Sequence, residues 1–252
     1  MGVTMLQDRE GITVHTMKPD YRGGAVFYTA LTRDTETLKG QRHDREEAKQ
    51  LLISTLWNHR VATGNPPWNH GQSSSGTACP IQVVCGQLGR PHLLVGNYRG
   101  PAISFSVGGG KIWGALSGNE TDIGIDVARA DEFHREYPFQ RVFHPEELEH
   151  ALRLTSGDPA QASALLWSVK EAVVKALGCA FHLVDPRQVN VYPCEGWAAG
   201  KDGAYTFPVG LSGKARVRFP LAADRSLWVR SLPQDTMWLS IAHMQRKPAG
   251  HE

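Results

Sequence analysis

The residues best suited to chemistry lie in a short segment, Trp167–Lys175, which reads W-S-V-K-E-A-V-V-K. The surrounding pattern predicts a helix, on which Lys170, Glu171 and Lys175 lie beside the apolar stripe. An acid flanked by two cations can hold a metal ion while the cations neutralise phosphate oxygens. The alternative is an ordinary surface ion pair between Glu171 and Lys175, which contributes about 0.3–0.5 kcal/mol.

A second acid, Asp126, lies in the segment I-G-I-D-V-A at residues 123–128. Alternate residues of a strand face opposite sides, so Gly124, Asp126 and Ala128 share one face while the branched apolar residues bury on the other. The glycine allows another group to come close. A carboxylate held rigidly at the end of a strand suits Mg²⁺, which takes oxygen ligands. Taken alone, Asp126 is more typical of a strand-end residue that caps a turn.

Together, the two motifs resemble those of the 4′-phosphopantetheinyl transferase superfamily, G-[IV]-D on a strand and W-[ST]-x-K-E-[AS]-x-x-K on a later helix. The length of 252 residues is closer to the two-lobed monomeric branch than to the small trimeric one. The resemblance implies transfer of 4′-phosphopantetheine from coenzyme A to a serine of an acyl or peptidyl carrier protein. It also implies a divalent cation, Mg²⁺ or else Mn²⁺, held by Asp126 and Glu171. Lys175 would stabilise the leaving adenosine 3′,5′-bisphosphate, and Lys170 would face the phosphates or the carrier protein.

Two further segments resemble the family. Gly89-Arg90-Pro91-His92 is similar to its G-[KR]-P-x segment, which implies that Arg90 helps to bind a phosphate of coenzyme A. Residues 143–147 are similar to its F-x-x-x-E segment, which implies that Glu147 lies near the metal or acts as a general base, a role also open to Glu171. The alternative for Glu147 is a first-turn helix acid favoured by the helix dipole.

The sequence departs from the family pattern at two positions. Ala128 stands where many members have a second acid, so one metal ligand is missing. Val107 replaces a histidine that follows the serine matched by Ser106. The glycines that follow could compensate, because backbone N–H groups in a glycine-rich turn can cradle phosphate. Ser106, Gly108 and Gly109 are therefore predicted to bind coenzyme A, and a simple hairpin turn is the alternative.

Apolar periodicity and turn signals place these motifs on secondary structure. Asp158 is a predicted N-cap and Pro159 a first helical residue. The predicted helices begin near Asp44, at Pro145 (to Leu154) and at Pro159 (to Leu177). The predicted strands are Ile81–Cys85, Ala102–Ser106, Lys111–Leu116, Asp122–Ala128, Val189–Tyr192, Ala215–Phe219, Leu227–Leu232 and Met237–Ala242. This order predicts an α+β fold. The resemblance implies two similar α/β lobes related by pseudo-twofold symmetry, residues 1–118 and 119–252.

Composition narrows the class of protein. A formal net charge of +2 argues against a nucleic-acid binder that acts through its overall charge. We find no apolar run long enough for a membrane span and no secretion signal. The four cysteines lack C-x-x-C spacing, which favours reduced thiols in a cytoplasmic protein. Two alternatives to the transferase stay open: a degenerate coenzyme A-binding protein without transferase activity, and another Mg²⁺-dependent phosphodiester hydrolase.

Overall fold

The computed structural model describes residues 12–17, 25–32, 42–63, 80–86, 89–118, 121–133, 137–193, 203–223, 225–234 and 236–246. The chain divides into two compact units, residues 1–121 and 122–252. Both mix helices and strands, as the sequence predicts. No helix among the described residues is long and apolar enough to span a bilayer.

The first unit has one described helix, α1 (Arg42–Ala62), packed on a four-stranded antiparallel sheet in the order β1-β2-β7-β6. A separate sheet has the order β3-β4-β5. Leu52, Ile53 and Leu56 of α1 are fully buried, as its apolar periodicity requires. The strands are β1 (His15–Met17), β2 (Val26–Thr32), β3 (Ile81–Cys85), β4 (Pro91–Val95), β5 (Tyr98–Arg99), β6 (Ile103–Gly108) and β7 (Lys111–Ser117).

The second unit is a five-stranded antiparallel sheet in the order β8-β12-β11-β10-β9, against which one long helix packs. This helix, α4, lies over β8, β12 and β11. The strands are β8 (Asp122–Arg129), β9 (Val189–Val191), β10 (Tyr205–Leu211), β11 (Arg225–Gln234) and β12 (Met237–Arg246). The helices are α2 (Phe139–Val142), α3 (Pro145–Leu154), α4 (Pro159–Ala176), α5 (Gly213–Arg218) and α6 (Pro220–Ala223).

Helix α4 begins and ends at its predicted signals. The Asp158 Oδ1 atom accepts from the Ala160 N–H at 2.9 Å and the Gln161 N–H at 3.2 Å, which satisfies two otherwise unpaired donors of the first turn. After Ala176 the chain leaves the helix, and Gly178 has a φ of 76°. The predicted apolar stripe, which includes Leu166, is buried. Local signals therefore fix the helix that carries the main motif.

The strand predicted at Ala215–Phe219 is wrong, because these residues lie in and directly after helix α5. The alternation of apolar and basic residues resembles a strand with one buried face, but Val217 is 81% exposed. The Gln188 side chain accepts from the Ala215 N–H at 2.9 Å and so helps to satisfy the first turn of the helix. A contact distant in sequence thus overrides the local alternation.

Candidate functional site

Strand β8 and helix α4 lie unusually close together at Gly124. A Cβ atom on this glycine would lie 1.9 Å from the Ala172 carbonyl oxygen and 2.6 Å from the Ala176 nitrogen. The absence of a side chain therefore lets the helix backbone rest on the strand. Ala128, on the same face, is 1% exposed and packs in the core that contains α4. The prediction that Gly124 and Ala128 share one face of β8 is confirmed.

Asp126 lies on that face and pairs with Lys175 of α4. The Lys175 Nζ atom donates to Asp126 Oδ1 at 2.6 Å and to the Ile125 carbonyl oxygen at 3.2 Å. Asp126 is buried, whereas the Lys175 side chain is 27% exposed. The Lys175 ammonium therefore hydrogen-bonds Asp126, not the Glu171 of the predicted surface ion pair, and keeps one side open to solvent.

Glu171, one helical turn before Lys175, is electrostatically coupled to the same pair. Burial raises the pKa of Glu171 to about 6; the Asp126 charge also raises it, while Lys175 lowers it. Two carboxylates that share one small region repel each other when both are ionised. The structure thus brings Asp126, Glu171 and Lys175 together, as their predicted roles require.

The sequence analysis missed two neighbours of this group. Glu132 ends a 3₁₀ turn (Ala130–Glu132) directly after β8, and burial, with a smaller contribution from the Asp126 charge, raises its pKa. Burial raises the pKa of Tyr137 to about 12, and the charges of Glu171 and Glu132 add to that shift. Neither residue belongs to a motif that we recognised, and folding places Glu132 near Asp126 and Tyr137 near Glu171.

A divalent cation is compatible with the two central carboxylates. Mg²⁺ keeps several waters and is often held by one or two carboxylates together with substrate phosphates. Asp126 and Glu171 supply such a pair, and a bound cation would offset the repulsion by Asp126 that adds to the effect of burial on the pKa of Glu171. The described residues contain no group of three or more His, Cys, Asp or Glu arranged to hold a metal ion. The donor set therefore suits Mg²⁺ that completes its shell with water and phosphate.

Lys170 and Glu147 form a second pair, which is closed to solvent. The Lys170 Nζ atom donates to Glu147 Oε1 at 3.2 Å, to the Pro186 carbonyl at 2.9 Å and to the Val189 carbonyl at 2.6 Å, and it lies 2.9 Å from Glu147 Oε2. The Lys170 side chain is 0% exposed and that of Glu147 is 5% exposed. Every N–H bond of the ammonium is thus used within the protein.

Glu147 is equally saturated. Its Oε1 atom accepts from the Val191 N–H at 2.8 Å, and its Oε2 atom accepts from the His144 N–H at 3.0 Å, which completes the capping box of α3. Burial lowers the pKa of Lys170, an effect that the Glu147 charge opposes. These contacts lie within the protein, and the burial of both side chains leaves almost no surface for a ligand. The predicted coenzyme A contact of Lys170 and catalytic role of Glu147 therefore have no support in this geometry.

The remaining predicted site residues lie in the first unit, where β6 and β7 form a tight hairpin. Gly109 and Gly110 have φ values of 60° and 69°, and Gly108 pairs with Lys111, so the turn has two residues in the left-handed region. This geometry is a type I′ turn, which strongly favours glycine at both positions. The hairpin alone thus accounts for two of the glycines, and phosphate binding by Gly108 and Gly109 stays a prediction.

Ser106 and Arg90 differ in how accessible they are. Ser106 is 6% exposed and lies opposite Trp113 in the sheet. Arg90 is partly exposed and directly precedes β4, and its carbonyl oxygen accepts from the Gly86 N–H at 2.8 Å. Arg90 can therefore reach a ligand from the surface, whereas Ser106 would need its neighbours to move. Both roles stay predictions.

Comparison with known proteins bears on the second unit. Residues 122–202 match the family model of the 4′-phosphopantetheinyl transferase superfamily. This segment contains all of Asp126, Glu147, Lys170, Glu171 and Lys175. The superfamily resemblance is therefore confirmed, while the two-lobed branch stays a prediction. Comparison with curated proteins gives no match.

Several solved structures are similar to part of the chain. The ACPS–CoA complex of Chronobacterium ammoniagenes is 18% identical and covers 52% of this chain and 100% of its own, with a TM-score of 0.41. The holo-[acyl-carrier-protein] synthase of Neisseria meningitidis is 16% identical over 50% of this chain and 98% of its own, with a TM-score of 0.39. The acyl carrier protein synthase of Mycobacterium tuberculosis is 21% identical over 50% and 97%, with a TM-score of 0.35. Likenesses at this level do not identify a substrate.

Proposed function

We propose that this protein transfers 4′-phosphopantetheine from coenzyme A to a serine of an apo acyl or peptidyl carrier protein, with Mg²⁺ or Mn²⁺ as cofactor. The observation that carries the proposal is the arrangement of Asp126, Glu171 and Lys175, whose segment matches the superfamily model. Two acids and a partly exposed cation are the groups that phosphoryl-type transfer needs.

The carboxylates of Asp126 and Glu171 would hold the metal. When bound, the metal would neutralise pyrophosphate oxygens and orient the coenzyme A diester. The Lys175 ammonium lies beside Asp126 and is partly open to solvent, so it can also contact a phosphate oxygen. Its positive charge would stabilise the leaving adenosine 3′,5′-bisphosphate.

Glu171 is the acid best placed to accept the serine proton. Without the metal, the pKa of Glu171 is raised to about 6, and a bound cation would lower it, so the carboxylate is ionised and able to accept a proton at neutral pH. As it takes the hydroxyl proton, the serine oxygen bonds to the β-phosphorus, and the bond from that phosphorus to the bridging oxygen breaks. Glu147 is not available for this step, because Lys170 and backbone N–H groups occupy its oxygens.

The test is the intact mass of apo carrier proteins after incubation with the protein, coenzyme A and Mg²⁺. A gain of one phosphopantetheine unit, abolished by EDTA and by Glu171→Ala, is the expected result. Absence of any gain across a broad carrier panel would reject the proposed transfer. Glu146→Gln, which changes an exposed acid of α3, is the matched control and should leave the rate unchanged.

A second candidate is a coenzyme A-binding protein without transferase activity. One observation favours it: Ala128 is buried in the apolar core, so β8 offers no second carboxylate two residues beyond Asp126. Coenzyme A binding by calorimetry, with no mass gain on any carrier protein, would support this alternative over the transferase.

A further inference from the structure

Lys170 directly precedes Glu171 in the chain, and its three hydrogen bonds go to Glu147 and to the Pro186 and Val189 carbonyls. We propose that Lys170 and Glu147 are positioning residues, which fix the rotation of α4 and so hold the Glu171 carboxylate against Asp126. This inference rests on the proposed function, because it gives Glu171 a part in the reaction.

The pair connects three parts of the second unit to one ammonium group. Glu147 lies at the start of α3, Lys170 lies within α4, and the Pro186 and Val189 carbonyls belong to the segment that leads into β9. Glu147 extends the connection to the backbone of β9 through the Val191 N–H. Helix α4 is therefore tied at Lys170 to a helix and to the edge strand of the sheet.

Fixing Lys170 also fixes the direction of its neighbour. Successive residues of an α-helix are about 100° apart around the axis, so Glu171 cannot turn while the Lys170 side chain stays buried. At the contact with Gly124, the facing groups are backbone atoms of Ala172 and Ala176. Such small groups permit a close approach, but they offer few side-chain interdigitations to set rotation. The polar anchor adds a directional constraint to those of the buried apolar stripe of α4 and of the Ser168–Ser240 hydrogen bond.

A pair of apolar side chains could not take this place without loss. The Val191 and His144 N–H groups and the Pro186 and Val189 carbonyls all use Glu147 or Lys170 as partners. Apolar replacements would leave these four backbone groups without those partners, and a buried unpaired backbone group is costly. The two charged side chains thus satisfy backbone hydrogen-bonding groups around them, and no ligand is needed to explain why the pair is buried.

The test compares Glu147→Gln, Lys170→Met and the double variant with wild type. The expected result is Mn²⁺ affinity reduced about tenfold, measured by electron paramagnetic resonance without coenzyme A. The turnover number should fall about 10²-fold, because a misplacement of about 1 Å suffices for that loss. Coenzyme A affinity in EDTA, measured by calorimetry, should be unchanged. The fold-losses of Mn²⁺ affinity and turnover in the double variant should be smaller than the product of the losses in the single variants, since both residues act through the same ion pair.

Glu149→Gln is the matched control, because it removes the acid of an exposed ion pair with Arg153 on the same helix and should change none of these values. If Lys170→Met does not fold, the double variant, which buries no lone charge, decides. Wild-type Mn²⁺ affinity and turnover in a folded Glu147→Gln protein would overturn the proposal. Weaker coenzyme A binding in EDTA would also overturn it and would place Lys170 at the ligand.

Failure of the proposed function is distinguishable from failure of this inference. If wild type modifies no carrier protein, transfer is rejected, but the Mn²⁺ measurements still test whether Lys170 and Glu147 position Glu171. A reduced Mn²⁺ affinity in Glu147→Gln would then support the positioning role without any transfer reaction.

Discussion

The contact between Gly124 and α4 makes a sharp prediction for Gly124→Ala. The added Cβ would meet backbone atoms, the Ala172 carbonyl oxygen at 1.9 Å and the Ala176 nitrogen at 2.6 Å. No side-chain rotation can relieve such overlaps, so the helix itself has to move away from β8. Because that helix carries Glu171 and the strand carries Asp126, the substitution tests the geometry of the candidate site as well as stability.

The size of the effect follows from the distances. Ordinary van der Waals contact begins at 3.4 Å, so the Ala172 carbonyl would have to retreat by roughly 1.5 Å. Overpacking of this severity costs about 3 kcal/mol or more in the free energy of unfolding. For a protein of this size that loss lowers Tm by about 6–12 °C. A shift of more than about 1 Å at the reacting groups would lower the transfer rate about 10²-fold.

The assay pairs thermal unfolding with the rate of carrier-protein modification. Gly114→Ala is the matched control: it also lies in a strand next to a helix, but its Cβ would meet the Leu52 Cβ atom at 3.2 Å, only a few tenths of an ångström inside ordinary contact. We expect a much smaller loss of Tm there. Wild-type Tm and rate in Gly124→Ala would show that α4 does not rest on β8 as described, and would refute the reasoning.

Four further predictions follow from single contacts. Lys175→Met should lower the single-turnover transfer rate about 10²–10³-fold by mass spectrometry, because it removes the open cation beside Asp126; an unchanged rate would exclude its proposed role. The pKa of Glu171 is raised from 4.5 to about 6, so between these pH values the folded state binds more protons than the unfolded state. The free energy of unfolding therefore falls as the pH rises. In EDTA, Glu171→Gln should therefore be more stable than wild type at pH 7 by on the order of 1 kcal/mol, in urea unfolding, and equal to it well below pH 4.5. Ala128→Glu should lower Tm without improving Mn²⁺ affinity, because it buries an unpaired carboxylate in the core, and a gain in affinity would contradict that placement. Val217→Asp should change the free energy of unfolding by less than about 0.5 kcal/mol, as expected at an exposed position of a helix, whereas a large loss would favour the strand.

Short-range signals made part of this structure predictable. The bounds of α3 and almost all of α4 follow from a proline, an aspartate cap and a terminal glycine, whose effects act within one turn. The facing of β8 follows from its two-residue period. Strand β10 (Tyr205–Leu211) was missed although its apolar residues alternate, since the residues between them include both proline and glycine, which argue against a strand.

The candidate site likewise has a part that the sequence predicts and a part that it does not. The sequence by itself showed that an acid on a strand, Asp126, and a Lys-Glu-x-x-x-Lys helix resemble one superfamily, whose model matches residues 122–202, because those motifs are local. Only the tertiary structure decided which charges meet: Lys175 reaches Asp126, and Lys170 turns away to Glu147. Charge partners are set by burial and by distances between elements that are far apart in the chain, and neither quantity is encoded in the spacing of a motif.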